Sequence, residues 1–76
     1  MMEEFLINKI EEITFTEVTV DEGLWTSGIL DSITIVELAV EIEDEYSIKV
    51  PFDDIVEDNF ETVSRLIAYI ERKKNA

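Results

Sequence analysis

Residues 28–46 read Gly28-Ile29-Leu30-Asp31-Ser32-Ile33-Thr34-Ile35-Val36-Glu37-Leu38-Ala39-Val40-Glu41-Ile42-Glu43-Asp44-Glu45-Tyr46, with no glycine or proline after the first position. Apolar residues recur at spacings of three and four, which predicts a helix over Ser32–Tyr46. Asp31-Ser32 offers side chains that cap the unpaired N–H groups of a first helical turn. The helix is expected to stop near Ser47, ahead of Ile48-Lys49-Val50-Pro51, because the residue before a proline disfavours helical backbone. On a helical wheel Ile35, Leu38, Ala39, Ile42 and Tyr46 form one broad stripe, the expected core face. Ile33, Val36 and Val40 fall on nearly the opposite side, among Glu37, Glu41 and Asp44.

A second apolar face calls for an explanation. Carboxylates four apart at Glu37, Glu41 and Glu45 repel one another by roughly 0.2–0.5 kcal/mol per pair, and the helix contains no lysine to relieve them. An apolar ridge with an acidic flank suits an interaction surface, the ridge supplying affinity and the charges orientation and encounter rate. The competing reading is that the connection over residues 14–31 covers Ile33 and Val36.

Working outward, Met2, Phe5, Leu6, Lys9 or Ile10, and Ile13 predict a first amphipathic helix over about Glu3–Ile13. From Thr14 to Asp31 the pattern breaks into Thr, Gly and scattered Phe15, Val18, Val20, Leu24, Trp25, Ile29 and Leu30. So long a connection must be functional or anchored, and Trp25 above all is expected to pin it to the core. A helical turn is expected around Phe52–Val56, then a polar break at Glu57-Asp58-Asn59. The last helix begins at the N-cap Thr62 and runs through Val63, Leu66, Ile67 and Ile70 to Arg72, Lys73 and Lys74, bases that suit the negative end of its dipole. The fold expected is all-α, a small antiparallel bundle of three main helices plus one short helix, in a single domain over residues 1–76.

Composition narrows the function. Nineteen acidic residues against six basic ones give a net charge of −13, which repels nucleic acid and favours partners with basic docking surfaces. The acids are also clustered: between Glu11 and Glu61 only Lys49 opposes all of them except Glu3, Glu4 and Glu71. No apolar run approaches the ~18 residues of a membrane span, and the acidic start is unlike a signal peptide, so a cytoplasmic monomer is expected. With no Cys and no His, thiol chemistry must come from an added group, and a Ser–His nucleophile is excluded. Ser32 is then either a simple helix cap or an attachment point, since a phosphodiester on its hydroxyl would lie by free N–H groups at the positive end of the helix dipole.

The run from Gly28 to Leu38, with Ile42-Glu43-Asp44-Glu45-Tyr46 and Ile48-Lys49-Val50-Pro51, resembles the acyl carrier proteins of fatty acid, polyketide and nonribosomal peptide synthesis. The resemblance spans nearly the whole chain. It implies that Ser32 carries 4′-phosphopantetheine, transferred from coenzyme A by a phosphopantetheinyl transferase with Mg²⁺. Acyl or aminoacyl groups would ride on the arm as thioesters, presented to loading and synthase enzymes by a chain that is no enzyme itself. Asp31 matches the acid before the serine, where it would help recruit the transferase. Ile33, Val36, Glu37, Val40, Glu41, Glu43 and Asp44 match the family's partner-recognition helix. Gly28 lies one residue further from Asp31 than in fatty-acid carriers, and Thr34 stands where those carry an acid. The Gly-Ile-Leu-Asp-Ser form with Asp58-Asn59-Phe60 is more similar to D-alanine carriers and stand-alone carriers. Two other readings compete. An acidic helical adaptor without a cofactor would use the same face, and a calcium protein would need alternating Asp/Asn ligands around a central glycine that the loops lack.

Overall fold

A computed structural model describes residues 1–76. The chain is all-helical, with α1 over Met2–Thr14, α2 over Ser32–Tyr46, a single 3-10 turn over Phe52–Asp54, α3 over Glu57–Phe60 and α4 over Val63–Lys74. The expected three main helices and their boundaries hold to within about a residue.

Two side-chain pairs set the direction of α1 against α2. The Phe5 ring meets the Tyr46 ring edge-on at 5.6 Å between centroids, and Lys9 Nζ lies 3.4 Å from Glu41 Oε1. As numbers rise along one helix they fall along the other, so the two run antiparallel. Met2, near the start of α1, shares a shallow cleft with Glu71 and Lys74 at the end of α4, so α4 also opposes α1. The C-terminus of α1 and the N-termini of α2 and α4 therefore gather at one end.

Fifteen buried side chains form a continuous core and none of them is charged. α2 contributes Ile35, Leu38, Ala39 and Ile42, the stripe the wheel predicts. Tyr46 is only partly buried, since its ring closes the far edge against Phe5.

The 15–31 connection is anchored, though not chiefly by Trp25 as expected. Val18, Leu24 and Leu30 are its buried residues, and Trp25 is half-buried beside them. Backbone bonds fix its course: Leu24 N–H donates to the Glu61 carbonyl at 2.6 Å, Ser64 N–H to the Val20 carbonyl at 3.0 Å, and Leu30 N–H to the Leu24 carbonyl at 2.9 Å. A second correction concerns residues 57–59. They form α3 rather than a polar break, because Phe60 is wholly buried and draws its turn onto α4. The helical turn expected over Phe52–Val56 shrinks to Phe52–Asp54.

The α3 region is tied to α4 by polar contacts. The Tyr69 hydroxyl donates to Asp54 Oδ2 at 2.6 Å, and Lys73 lies 3.4 Å from the same oxygen. The Tyr69 hydroxyl and Lys73 hold Asp54 below the usual carboxylate range. Burial and the Asp54 charge raise Tyr69 far above the usual phenol value.

Leu38 is fully buried in a domain whose size leaves little stability in reserve. Leu38→Ala is expected to cost about 2–5 kcal/mol. The check is helical circular dichroism during thermal unfolding, where an unchanged midpoint would place Leu38 outside the core.

Candidate functional site

The site is built around the start of α2. Asp31 is the N-cap in extended backbone, and one oxygen does the capping: Oδ1 accepts from Ile33 N–H at 3.0 Å, Thr34 N–H at 2.8 Å and the Thr34 hydroxyl at 3.0 Å. Thr34 reciprocates, its Oγ1 accepting from Asp31 N–H at 2.8 Å. This is a capping box with threonine in the place usually held by Glu or Gln. The Thr34 N–H, followed by its hydroxyl and the Ile33 N–H, holds the Asp31 carboxyl below its ordinary range. Sequence reasoning offered either member of the Asp31-Ser32 pair as the cap, and the structure selects Asp31.

That choice releases Ser32. It is the first residue of α2, it is exposed, and its hydroxyl makes no hydrogen bond. It also corrects the expectation of several free N–H groups beside the serine. Asp31 already occupies those of Ile33 and Thr34, and Ile35 N–H donates to the Asp31 carbonyl. Only the Ser32 N–H is left in the first turn.

Below Ser32 opens a cleft of about 380 Å³ lined by Trp25, Leu30, Asp31, Ser32, Ile35, Val36, Phe52 and Ile55. Three separate stretches of chain, at Trp25, over 30–36 and over 52–55, supply its walls, so no local pattern announced it. Phe52 is 81 % exposed and forms its outer lip. The nearest sequence signal was an aromatic following Pro51 in an otherwise acidic turn.

The second apolar face of α2 is open. Ile33 is 71 % exposed, Val36 47 % and Val40 48 %, so the 15–31 connection does not cover them. Glu37 and Asp44 stand beside them, exposed and without ion pairs. The other two acids are engaged: Glu41 faces Lys9 on α1, and Glu43 accepts the Val50 N–H at 2.7 Å. Glu43 thus fastens the chain leaving α2 instead of standing free on the ridge.

Glu61 was missed altogether. Its Oε1 accepts the N–H groups of Trp25 and Thr26, each at 2.9 Å, and its Oε2 accepts the Thr26 hydroxyl at 2.6 Å. The Thr26 hydroxyl, then the Thr26 N–H, hold its carboxyl below the usual range. Gly23 makes room for this clamp, since a Cβ there would lie 2.9 Å from Glu61 Oε2. Partners 35 and 36 residues apart leave no trace in local sequence.

Comparison with known proteins bears on this geometry. The sequence profile described as "Phosphopantetheine attachment site" matches residues 5–70. The D-alanyl carrier proteins of Streptococcus pyogenes serotype M5 (strain Manfredo), serotype M49 (strain NZ131) and serotype M1 are each 34 % identical to the chain over 77 residues. Each alignment covers 99 % of this chain and 98 % of the relative.

The Glu61 clamp has a pH signature. A depressed folded-state pKa means the folded chain binds fewer protons than the unfolded chain, so the stabilisation is complete above the ordinary Glu value of 4.5 and is lost as pH falls below it. Glu61→Gln mimics the protonated acid. The variant is expected to melt several degrees below wild type at pH 7, with the gap narrowing as pH falls below 4.5, followed by the fluorescence of the single tryptophan, Trp25. A gap undiminished at low pH would remove the carboxylate from this role.

Proposed function

The chain belongs to the phosphopantetheine attachment-site family, and from that membership we propose that Ser32 is the residue that bears the arm. The protein is a carrier rather than an enzyme, and its cofactor is 4′-phosphopantetheine. The observation that carries the assignment to Ser32 is an exposed, unbonded hydroxyl on the first residue of α2, beside an apolar cleft.

The chemistry asks little of the carrier. The Ser32 oxygen attacks the phosphorus that bears pantetheine in coenzyme A, a new P–O bond forms, the pyrophosphate link breaks, and adenosine 3′,5′-bisphosphate leaves. The hydroxyl proton passes to a base on the transferase, because this chain has no His and its nearest carboxylate, Asp31, is a helix cap held below its ordinary range and so a weak base. Asp31 suits the encounter: its Oδ1 is spent on the cap, while Oδ2 accepts no hydrogen bond and remains available to the transferase or its Mg²⁺. Once attached, the arm supplies the thiol on which acyl or aminoacyl cargo is held as a thioester. Trp25, Ile35, Val36 and Phe52 offer the arm an apolar resting surface between visits.

We read the cargo as a small aminoacyl group, D-alanine, on the likeness to the D-alanyl carrier proteins. The partners are then a phosphopantetheinyl transferase and the loading and accepting enzymes of that pathway, meeting the chain in the cytoplasm where coenzyme A is found. They dock on Ile33, Val36 and Val40, steered by Glu37 and Asp44 with Glu41 at the margin. The terms are those of a small interface with an apolar centre and a charged rim.

Two measurements test this. Incubation with coenzyme A, Mg²⁺ and a broad-specificity transferase is expected to add about 340 Da, and Ser32→Ala to add nothing. Addition to the alanine variant would move the arm elsewhere. Glu37→Lys is expected to lower kcat/KM for arm loading about tenfold at low salt, with the deficit shrinking near 1 M salt where charges are screened. A deficit indifferent to salt would deny Glu37 a steering role.

A further inference from the structure

Phe15 closes α1 at φ 60° and ψ 26°, a left-handed conformation normally left to glycine or asparagine at a helix end. Its side chain is 91 % exposed. An aromatic in this position gives nothing to the core and strains its own backbone, and an outlier of that kind points to function.

Its place in the fold says what the function is. Lys9 of α1 lies level with Glu41 of α2 and the helices run antiparallel, so six residues further on Phe15 comes level with about Ile35. At 1.5 Å rise per residue and 8–10 Å between axes, Phe15 and Ser32 are on the order of 10–15 Å apart. α1 lies on the Glu41 side of the α2 ridge, and Phe52 lies on the other, by the cleft. Glu11, Glu12 and Glu17 flank Phe15 along the chain, all exposed. The only base in α1, Lys9, is held between Glu12 and Glu41. The result is an apolar knob with an anionic collar at the serine end of the bundle.

We propose that Phe15 is a docking contact for the phosphopantetheinyl transferase, entering an apolar pocket rimmed by Lys or Arg on that enzyme. The inference rests on Ser32 as the attachment residue. Of all partners the transferase alone must bring its active site onto the Ser32 hydroxyl itself, whereas later enzymes meet their substrate at the end of a flexible arm. An interface of about 800 Å² per partner centred on Ser32 reaches Phe15. The acidic collar complements a basic rim.

Phe15→Asn keeps a residue that tolerates the left-handed conformation and removes the apolar contact; Phe15→Leu keeps an apolar one. For arm loading from coenzyme A by a broad-specificity transferase, Phe15→Asn is expected to raise the KM for the carrier five- to tenfold with kcat unchanged. The loss should persist at high salt, unlike that of Glu37→Lys, and Phe15→Leu should recover most of it. Thermal midpoints for Phe15→Asn are expected at or a few degrees above wild type, because the strain is relieved. Loading of Phe15→Asn with the wild-type KM would overturn the docking role and leave Ser32 standing. A lowered midpoint would overturn it too, by showing that Phe15 acts in packing. Failure of the wild-type chain to load would remove the Ser32 assignment and this inference with it.

Discussion

The Asp31 carboxylate stands where loop becomes helix, and both halves of the site depend on it. By satisfying the Ile33 and Thr34 N–H groups it starts α2 at Ser32 and nowhere else. The buried stripe of α2 sets which way Ile33, Val36 and Val40 face, and the cap sets where that face begins. A serine that capped the helix itself would have its hydroxyl committed to the backbone. Because the acid before it takes that duty, the serine is both fixed in place and chemically free. Thr34 serves the same end: its hydroxyl bonds back to Asp31 where an acid would add yet another negative charge to the face.

Around this point the structure accepts costs that a fold selected for stability alone would avoid. Three aliphatic side chains stay in water on α2, and Glu37 and Asp44 have no cation to face. Relief is placed elsewhere. Lys9 neutralises the margin of the face at Glu41, and Arg65 and Lys73 pair with Asp58 and Asp54 around α3. The bases steady the frame and the unpaired acids are left for visitors, a division that suits a protein whose work consists of brief encounters.

How much of this was legible beforehand follows from the range of each interaction. The bounds of α2, its core stripe, its exposed ridge and the Asp31-Ser32 start all rest on residues within a turn or two of one another, and periodicity exposes them. α3 escaped because four largely polar residues carry no pattern, and what holds it is the burial of Phe60 with contacts from Asp58 and Asn59 to Arg65 and Arg72 further along the chain. Trp25 was overrated because ring size is visible in sequence while direction is not; Leu24 points inward and the larger neighbour lines the cleft. Glu43 was counted with the partner-recognition face by family resemblance rather than by its place on the wheel, and its carboxylate bends back to Val50. The cleft, the Glu61 clamp and the Lys9–Glu41 pair join segments far apart in the chain, and nothing local encodes them.

The Glu61 clamp also bears on the order in which the molecule is completed. The Asp31–Thr34 box spans four residues and can close as soon as that stretch of polypeptide exists. The moorings of the approach to Ser32 cannot, because Leu24, Trp25 and Thr26 hang on Glu61, and Val20 and Asp21 on Ser64. A growing polypeptide therefore displays its serine well before the residues that hold the preceding loop have left the ribosome. The acceptor becomes a finished surface only when the last third of the chain has been made and has folded against it.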